Sequence, residues 1–315
     1  MLPSVTIREV GLRDGLQLVK PFVATEHKLE WCRDDVNAGV REIEITSFVP
    51  PSIVPQFSDA LALAREAVRI DGLVASALVP NLKGAQRAFE AGVQKINYVL
   101  SASEAHNQAN VHRSTQDSLE DFRRITQERR EKNLPTKVVG GIATTFGCTI
   151  QGTVPEKRVF EIIESLLSIG ADEIILADTV GYANPAQVGR IFTEALRLTG
   201  GKPVFAHFHD TRGLGLANVT AAIDVGISRF DASLGGLGGC PFAPGATGNI
   251  DMEDCVFLVE SMGFDTGINI EKLIAIRSKL ERWLPGEQLH GMIARAGLPK
   301  TFTSRRSTSP VFISG

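Results

Sequence analysis

The chain has little cysteine, no basic excess and no long apolar run, and each shortage removes a class of function. Four cysteines, Cys32, Cys148, Cys240 and Cys255, are scattered through 315 residues. No two of them stand in a CxxC spacing, which argues against a zinc ribbon or a dithiol redox motif and for reduced thiols in a cytoplasmic setting. Thirty-three Lys and Arg against 36 Asp and Glu leave a net charge of -3, so no basic field exists to hold nucleic acid or an anionic membrane. No apolar run reaches the roughly 18 residues that a membrane span needs. The first residues lead straight into a strand-like stretch. They lack the charged-then-apolar order of a secretory leader and the Arg/Ser-rich pattern of a transit peptide.

Apolar sequence in short blocks is what the chain has in quantity. Hydrophobic residues are 43% of the total and charged residues 22%, enough for a large core in a water-exposed protein. One pattern recurs four times: an apolar helical stretch, a glycine, then a short link into an apolar strand. The glycines are Gly39, Gly92, Gly170 and Gly226, each where a helix end favours a left-handed residue. With four further apolar blocks, eight strands are predicted, at 5–10, 41–45, 73–79, 95–100, 137–145, 172–176, 203–209 and 229–234. Helices are predicted at 26–37, 58–69, 83–91, 116–131, 156–169, 185–198, 214–225 and 253–262. Strict alternation without a linker predicts an α/β chain, a single closed (β/α)8 barrel, over residues 1–300. The stretch 268–297 supplies extra C-terminal helices, and 301–315 forms a mobile tail. An open dinucleotide-binding sheet would carry G-x-G-x-x-G after its first strand. Gly11-Leu12-Arg13-Asp14-Gly15 stands there instead.

Barrel active sites lie at the C-terminal ends of the strands, and the polar residues that fall there can be read off. They are Arg13 and Asp14 after the first strand, Glu44 in the second, Asp178 after the sixth, and His207 and His209, followed by Asp210, in the seventh. Residues i and i+2 of a strand share a face, so both imidazoles point into the mouth and can share one cation, with Asp14 available across the barrel. Two imidazoles, a carboxylate and an amide, without a thiolate pair, suit Mg or Mn better than a closed zinc site. After the eighth strand, residues 235–248 hold six glycines. Cys240 lies among them, flanked by glycine and proline rather than by apolar residues, and reads as a movable thiol on a lid.

At these residues the chain resembles the 3-hydroxy-3-methylglutaryl-CoA lyase family, within a wider superfamily of metal-dependent aldolases and lyases. The resemblance rests on Glu9-Val10-Gly11-Leu12-Arg13-Asp14-Gly15-Leu16-Gln17, Glu44-Ile45-Thr46-Ser47-Phe48-Val49-Pro50 and Pro80-Asn81-Leu82-Lys83-Gly84. It continues through Ala177-Asp178-Thr179-Val180-Gly181, His207-Phe208-His209-Asp210-Thr211 and Gly235-Gly236-Leu237-Gly238-Gly239-Cys240-Pro241, to Gly248-Asn249. It spans about residues 4–285, and the glycine–cysteine loop is its most specific part. The resemblance implies a divalent cation held by Asp14, His207, His209 and Asn249. It implies Arg13 at the enolate oxygen of the thioester, Glu44 and Asp178 behind the metal and Arg13, and Cys240 as a proton carrier. The implied reaction is retro-Claisen cleavage of 3-hydroxy-3-methylglutaryl-CoA to acetyl-CoA and acetoacetate. The implied partner is an acyl-CoA thioester, and a homo-oligomer is expected.

Four departures from the family leave the metal set intact and bear on the acyl pocket or the CoA path: Leu18-Val19-Lys20 after Gln17, the polar stretch from Ser101 to Asn107 with His106, Arg212 after the H-x-H strand, and the tail with Gly297-Leu298-Pro299. They leave room for a neighbouring substrate, such as citramalyl-CoA or a longer 3-substituted 3-hydroxyglutaryl-CoA. A condensing synthase of the same superfamily would carry a long C-terminal region and lack the glycine–cysteine loop. A pyruvate-type aldolase or a non-enzymatic barrel are the remaining rivals.

Overall fold

The computed structural model describes residues 2–239 and 248–302. Eight strands pair in sequence order, all parallel: β1 (Thr6–Glu9), β2 (Glu42–Ser47), β3 (Val74–Leu78), β4 (Lys95–Ser101), β5 (Lys137–Ala143), β6 (Glu173–Asp178), β7 (Val204–Phe208) and β8 (Arg229–Ala232). β8 closes back on β1, with Thr6 opposite Arg229 and Glu9 opposite Ala232. The helices are α1 (Thr25–Ala38), α2 (Ala60–Ala67), α3 (Leu82–Ala91), α4 (Glu104–Val111), α5 (Thr115–Glu131), α6 (Glu156–Ile169), α7 (Pro185–Thr199), α8 (Gly215–Asp224), α9 (Met252–Ser261), α10 (Ile270–Trp283) and α11 (Ile293–Ala296). The predicted (β/α)8 barrel is therefore what forms. Gly39, Gly92, Gly170 and Gly226 all have positive φ, between +79° and +116°. At Gly39 a side chain is excluded twice over, since a Cβ there would also lie 2.1 Å from the Gly267 carbonyl oxygen.

Strand alternation divides the molecule. One face of each strand packs against the helices, and Ile7, Ile43, Ile96, Val138, Ile174, Phe208 and Phe230 belong to this continuous outer core. The other face points into the barrel. Only a small apolar cluster forms there, of Val139, Ile175 and Phe205. The remaining inward positions are largely polar or charged and buried: Arg8, Glu42, Glu44, Lys95, Asn97, Glu173, His207 and Asp231. Barrel interiors are ordinarily filled by branched apolar side chains, so this lining demands partners for every charge.

One region departs from the sequence reading. Residues 101–112, for which the sequence predicts neither helix nor strand, contain α4. Its polar sequence has no apolar stripe to betray it. It is set instead by Ser103, whose hydroxyl caps the helix by accepting the His106 N–H at 3.2 Å. His106 and Asn107 are buried by local bonds. Ser101 Oγ lies 2.7 Å from His106 Nδ1, and Asn107 receives the Ser101 N–H while donating to the Arg113 carbonyl and Ser118. At the other end of the chain, α10 is the expected addition on the outside of the barrel. Lys279 bridges Glu30 and Asp34 of α1 at 2.6 Å each, and Trp283 stacks on His27. Of the predicted tail, Phe302 packs against Phe257, and 303–315 lie outside the described residues. No helix among the described residues is long and apolar enough to cross a membrane.

Candidate active site

The site begins with the turn that ends β1. The backbone N–H groups of Arg13, Asp14 and Gly15 converge on one acceptor, the Val10 carbonyl, at 3.1, 2.7 and 3.3 Å. This single wide turn, a form that is rare outside functional positions, throws Arg13 and Asp14 into the barrel mouth. Across the mouth, His207 is the penultimate residue of β7, and His209 follows directly after the strand. The two rings lie 5.1 Å apart. One candidate ligand atom each from Asp14, His207 and His209 falls within 4.8 Å of the others, and all three residues are buried.

Asn249 arrives from the far side of the glycine loop. Gly238 and Gly248 approach so closely that a Cβ on Gly248 would sit 2.5 Å from the Gly238 carbonyl oxygen. The returning chain then runs antiparallel to the end of β7. Asp210 N–H donates to the Gly248 carbonyl at 3.0 Å, Ile250 N–H to the Phe208 carbonyl at 3.2 Å, and His209 bridges to Asn249. Asn249 Nδ2 reaches Asp14 Oδ2 at 2.8 Å. The four residues predicted to hold a cation are thus brought together. Cys240 lies outside the described residues.

Arg13 is clamped from two sides. Its Nε donates to Glu44 Oε2 and its Nη1 to Asp14 Oδ1, both at 2.5 Å. Glu44 is itself fixed by Asn97 Nδ2 at 2.7 Å. Among the described residues, Nη2 of Arg13 makes no hydrogen bond. Asp178 takes a different part from Glu44. Its oxygens accept the N–H groups of Tyr182 at 2.7 Å and Ala183 at 3.1 Å, which shapes the loop after β6. Asp210, next to the H-x-H pair, turns away and accepts the Gly215 N–H at the start of α8. Arg212 donates to the Val180 and Gly181 carbonyls and covers the Tyr182 ring.

The charges follow from these contacts. Burial opposes ionisation of Asp14, but Arg13, His209 and His207 outweigh it and hold the carboxyl well below the usual range. Burial likewise opposes charge on Asp231, yet Arg8 and His207 bring it down to about 2. Asp178 is raised by burial, against its two backbone donors.

Three partners in the site were not singled out from sequence. Gln17 Nε2 donates to Asp14 Oδ1 at 3.0 Å, Asn97 holds Glu44, and Asp231 lies 3.0 Å from His207 Nδ1. The signal for the last two was present: polar residues at inward positions of otherwise apolar strands.

The residues present fit a divalent cation. Buried polar atoms ordinarily have partners. Here, among the described residues, both ring nitrogens of His209 and Oδ1 of Asn249 are buried without a hydrogen bond, all beside an ionised carboxylate.

A closed barrel with a buried Asp–His–His cluster at its C-terminal mouth defines an enzyme barrel with a candidate cation site. The chain belongs to the HMGL-like family, whose model matches residues 4–280. It is 41% identical over 290 residues to a hydroxymethylglutaryl-CoA lyase of Bacillus subtilis, covering 91% of this chain and 96% of that one. It is 42% identical over 306 residues to an (R)-citramalyl-CoA lyase of Chloroflexus aurantiacus, covering 94% and 96%. Among solved structures, an HMG-CoA lyase from Acinetobacter baumannii, in complex with coenzyme A and 3-methylmalate, superposes with a TM-score of 0.90 at 42% identity. That match covers 96% of this chain and 97% of the other. The family is one of carbon–carbon lyases, and the chain is an enzyme of that class.

Proposed function

We propose that the protein cleaves 3-hydroxy-3-methylglutaryl-CoA to acetyl-CoA and acetoacetate. The observation that carries this reading is the pairing, in one buried mouth, of a clamped guanidinium with an open nitrogen and a four-residue set with unpartnered ligand atoms. The bond between C2 and C3 breaks when the C3 hydroxyl loses its proton and the bond electrons move onto the thioester carbonyl. A divalent cation, Mg or Mn, held by Asp14, His207, His209 and Asn249 would acidify that hydroxyl and orient the substrate carboxylate. Arg13 meets the charge that grows on the thioester oxygen. Glu44 and Asn97 fix its guanidinium in advance, so little reorganisation is needed. Asp178 shapes the loop after β6 that borders the mouth. Cys240 would deliver a proton to C2 of the acetyl-CoA enolate.

A second substrate has specific support, since the identity to the citramalyl-CoA lyase is as high as to the hydroxymethylglutaryl-CoA lyase. Citramalyl-CoA differs by lacking one methylene between the hydroxyl-bearing carbon and the carboxylate, and the same residues would cleave it. A panel of both thioesters and longer 3-substituted analogues, assayed for acetyl-CoA release, separates the readings. Fastest release is expected from 3-hydroxy-3-methylglutaryl-CoA. It should vanish on chelation and return with Mg or Mn. Preference for citramalyl-CoA would move the substrate assignment, and full activity after exhaustive chelation would overturn the metal reading.

A further inference from the structure

The two histidines of the cluster are not held alike. Among the described residues, neither ring nitrogen of His209 makes a hydrogen bond, and its Nε2 faces Asp14 Oδ2 at 3.4 Å. His207 is anchored from behind, where its Nδ1 lies 3.0 Å from Asp231 Oδ2. Asp231 is in turn gripped in a bidentate pair, with Arg8 Nε on Oδ1 and Arg8 Nη2 on Oδ2, both at 2.8 Å. Arg8 Nη1 leans on Glu42 at 3.5 Å, and Lys95 ties Glu42 to Glu173 at 2.8 Å each. The anchor therefore runs through side chains of β8, β1, β2, β4 and β6, all of them buried.

We infer that Asp231 is a positioning residue for the cation site. By accepting the Nδ1–H of His207 it fixes the tautomer and the ring plane that present Nε2 to the metal. The inference rests on the cation reading of the cluster. A carboxylate ionises before an imidazole loses its N–H, so Asp231 is the acceptor and His207 Nδ1 the donor. That leaves Nε2 as the basic nitrogen, and outer partners of this kind tune metal affinity by about 10- to 100-fold. The residues that bind the cation and the residues that support the barrel are then joined at one carboxylate.

The test measures Mn2+ affinity by titration with electron paramagnetic resonance, apart from turnover. Asp231→Leu alone strands the Arg8 charge and risks misfolding, so the working variant is Arg8→Met/Asp231→Leu, which removes both charges together. It is expected to fold with a normal circular dichroism spectrum and to bind Mn2+ about 10- to 100-fold more weakly than wild type. Nitrogen-15 spectra of the metal-free protein should find the proton on Nδ1 of His207 in wild type and a shift toward Nε2 in the variant. Adding the pair of substitutions to His207→Ala should cost no further affinity, because the effect passes through that ring. Unchanged affinity in the double variant, or an equal further loss in the His207→Ala background, would overturn the inference. Failure of wild type itself to bind Mn2+ would instead overturn the cation reading.

Discussion

The barrel interior holds two layers that both contain buried ion pairs and are finished differently. Toward the N-terminal ends of the strands, Lys95 meets Glu42 and Glu173 at 2.8 Å, Lys137 adds to Glu173 at 3.2 Å, and Arg8 reaches Glu42 and Asp231. Each of these charges has an opposite within ion-pair distance. Toward the mouth, Asp14 and Glu44 are also paired, through Arg13. Yet among the described residues Nη2 of Arg13, both nitrogens of His209 and the Asn249 oxygen remain without hydrogen bonds. A buried charge that is fully paired is structure, whereas buried polar atoms left open beside it mark where another molecule completes the set. Ion pairs alone do not separate the two layers, because Arg or Lys against Asp or Glu occurs in both.

The strongest way to break that comparison is to open the closed layer. Lys95→Met leaves Glu42 and Glu173 buried with weakened partners. Removing one member of a buried pair costs about 3–5 kcal/mol, so thermal unfolding should move down by many degrees. Mn2+ affinity of the folded fraction should hold within about threefold of wild type. A Lys95→Met protein that melts normally but loses its metal would show that the lower layer serves the site directly.

Changing the open layer should do the reverse. Arg13→Lys keeps a positive charge near Glu44 and Asp14 but loses the fork. Turnover should fall by roughly 2–4 kcal/mol of activation free energy, the size seen when one preorganised charge stabiliser is removed, with KM and melting temperature little changed. Near wild-type turnover would reduce Arg13 to a rim salt bridge.

The thiols divide in the same way. Burial pushes Cys32 and Cys255 up out of the reactive range. Cys148 is buried, and its sulfur accepts the N–H groups of Ile150 and Gln151 at 3.3 Å. Limited alkylation followed by peptide mapping should therefore label Cys240 first and inactivate the enzyme, with substrate protecting it. Cys240→Ser should keep Mn2+ affinity and turn over slowly. First labelling at Cys148 would remove the lid thiol from the chemistry.

The outer architecture was legible because its signals are local. A glycine after an apolar helical stretch turns the chain into the next strand in four units, and four further apolar blocks complete the eight strands that close a barrel. The cation set was legible from H-x-H spacing joined to a family resemblance. The second row of the site was not. Asp231 and Asn97 sit inside strands whose register decides which side chains meet, and sequence spacing does not supply a register across a barrel. Helix α4 escaped because its buried residues, His106 and Asn107, are satisfied by capping and side-chain bonds rather than by an apolar stripe.

The smallest effect tests whether hydrogen bonds can stand in for ion pairs. Glu9 points outward from β1 and is fully buried, with its oxygens accepting the N–H groups of Gly11 and Leu234. Its charged neighbour Glu253 is acidic, not basic. Burial pushes Glu9 up to about 8 in spite of the backbone donors, and Glu253 adds to the rise. A carboxyl raised in the folded state stabilises fully below its unfolded pKa of about 4.5 and loses that contribution as pH climbs toward 8. Melting temperature, measured with chelator present, should thus fall from pH 5 to pH 8 more steeply in wild type than in Glu9→Gln. The difference should be on the order of 1 kcal/mol, or about 2–4 °C, for each pH unit in that range. The amide gives up one acceptor, so the variant should start lower at pH 5 and converge on wild type by pH 8. Parallel curves would mean that the two backbone donors neutralise Glu9 as well as a cation would. Satisfaction of hydrogen bonds and satisfaction of charge would then be the same thing in this barrel wall.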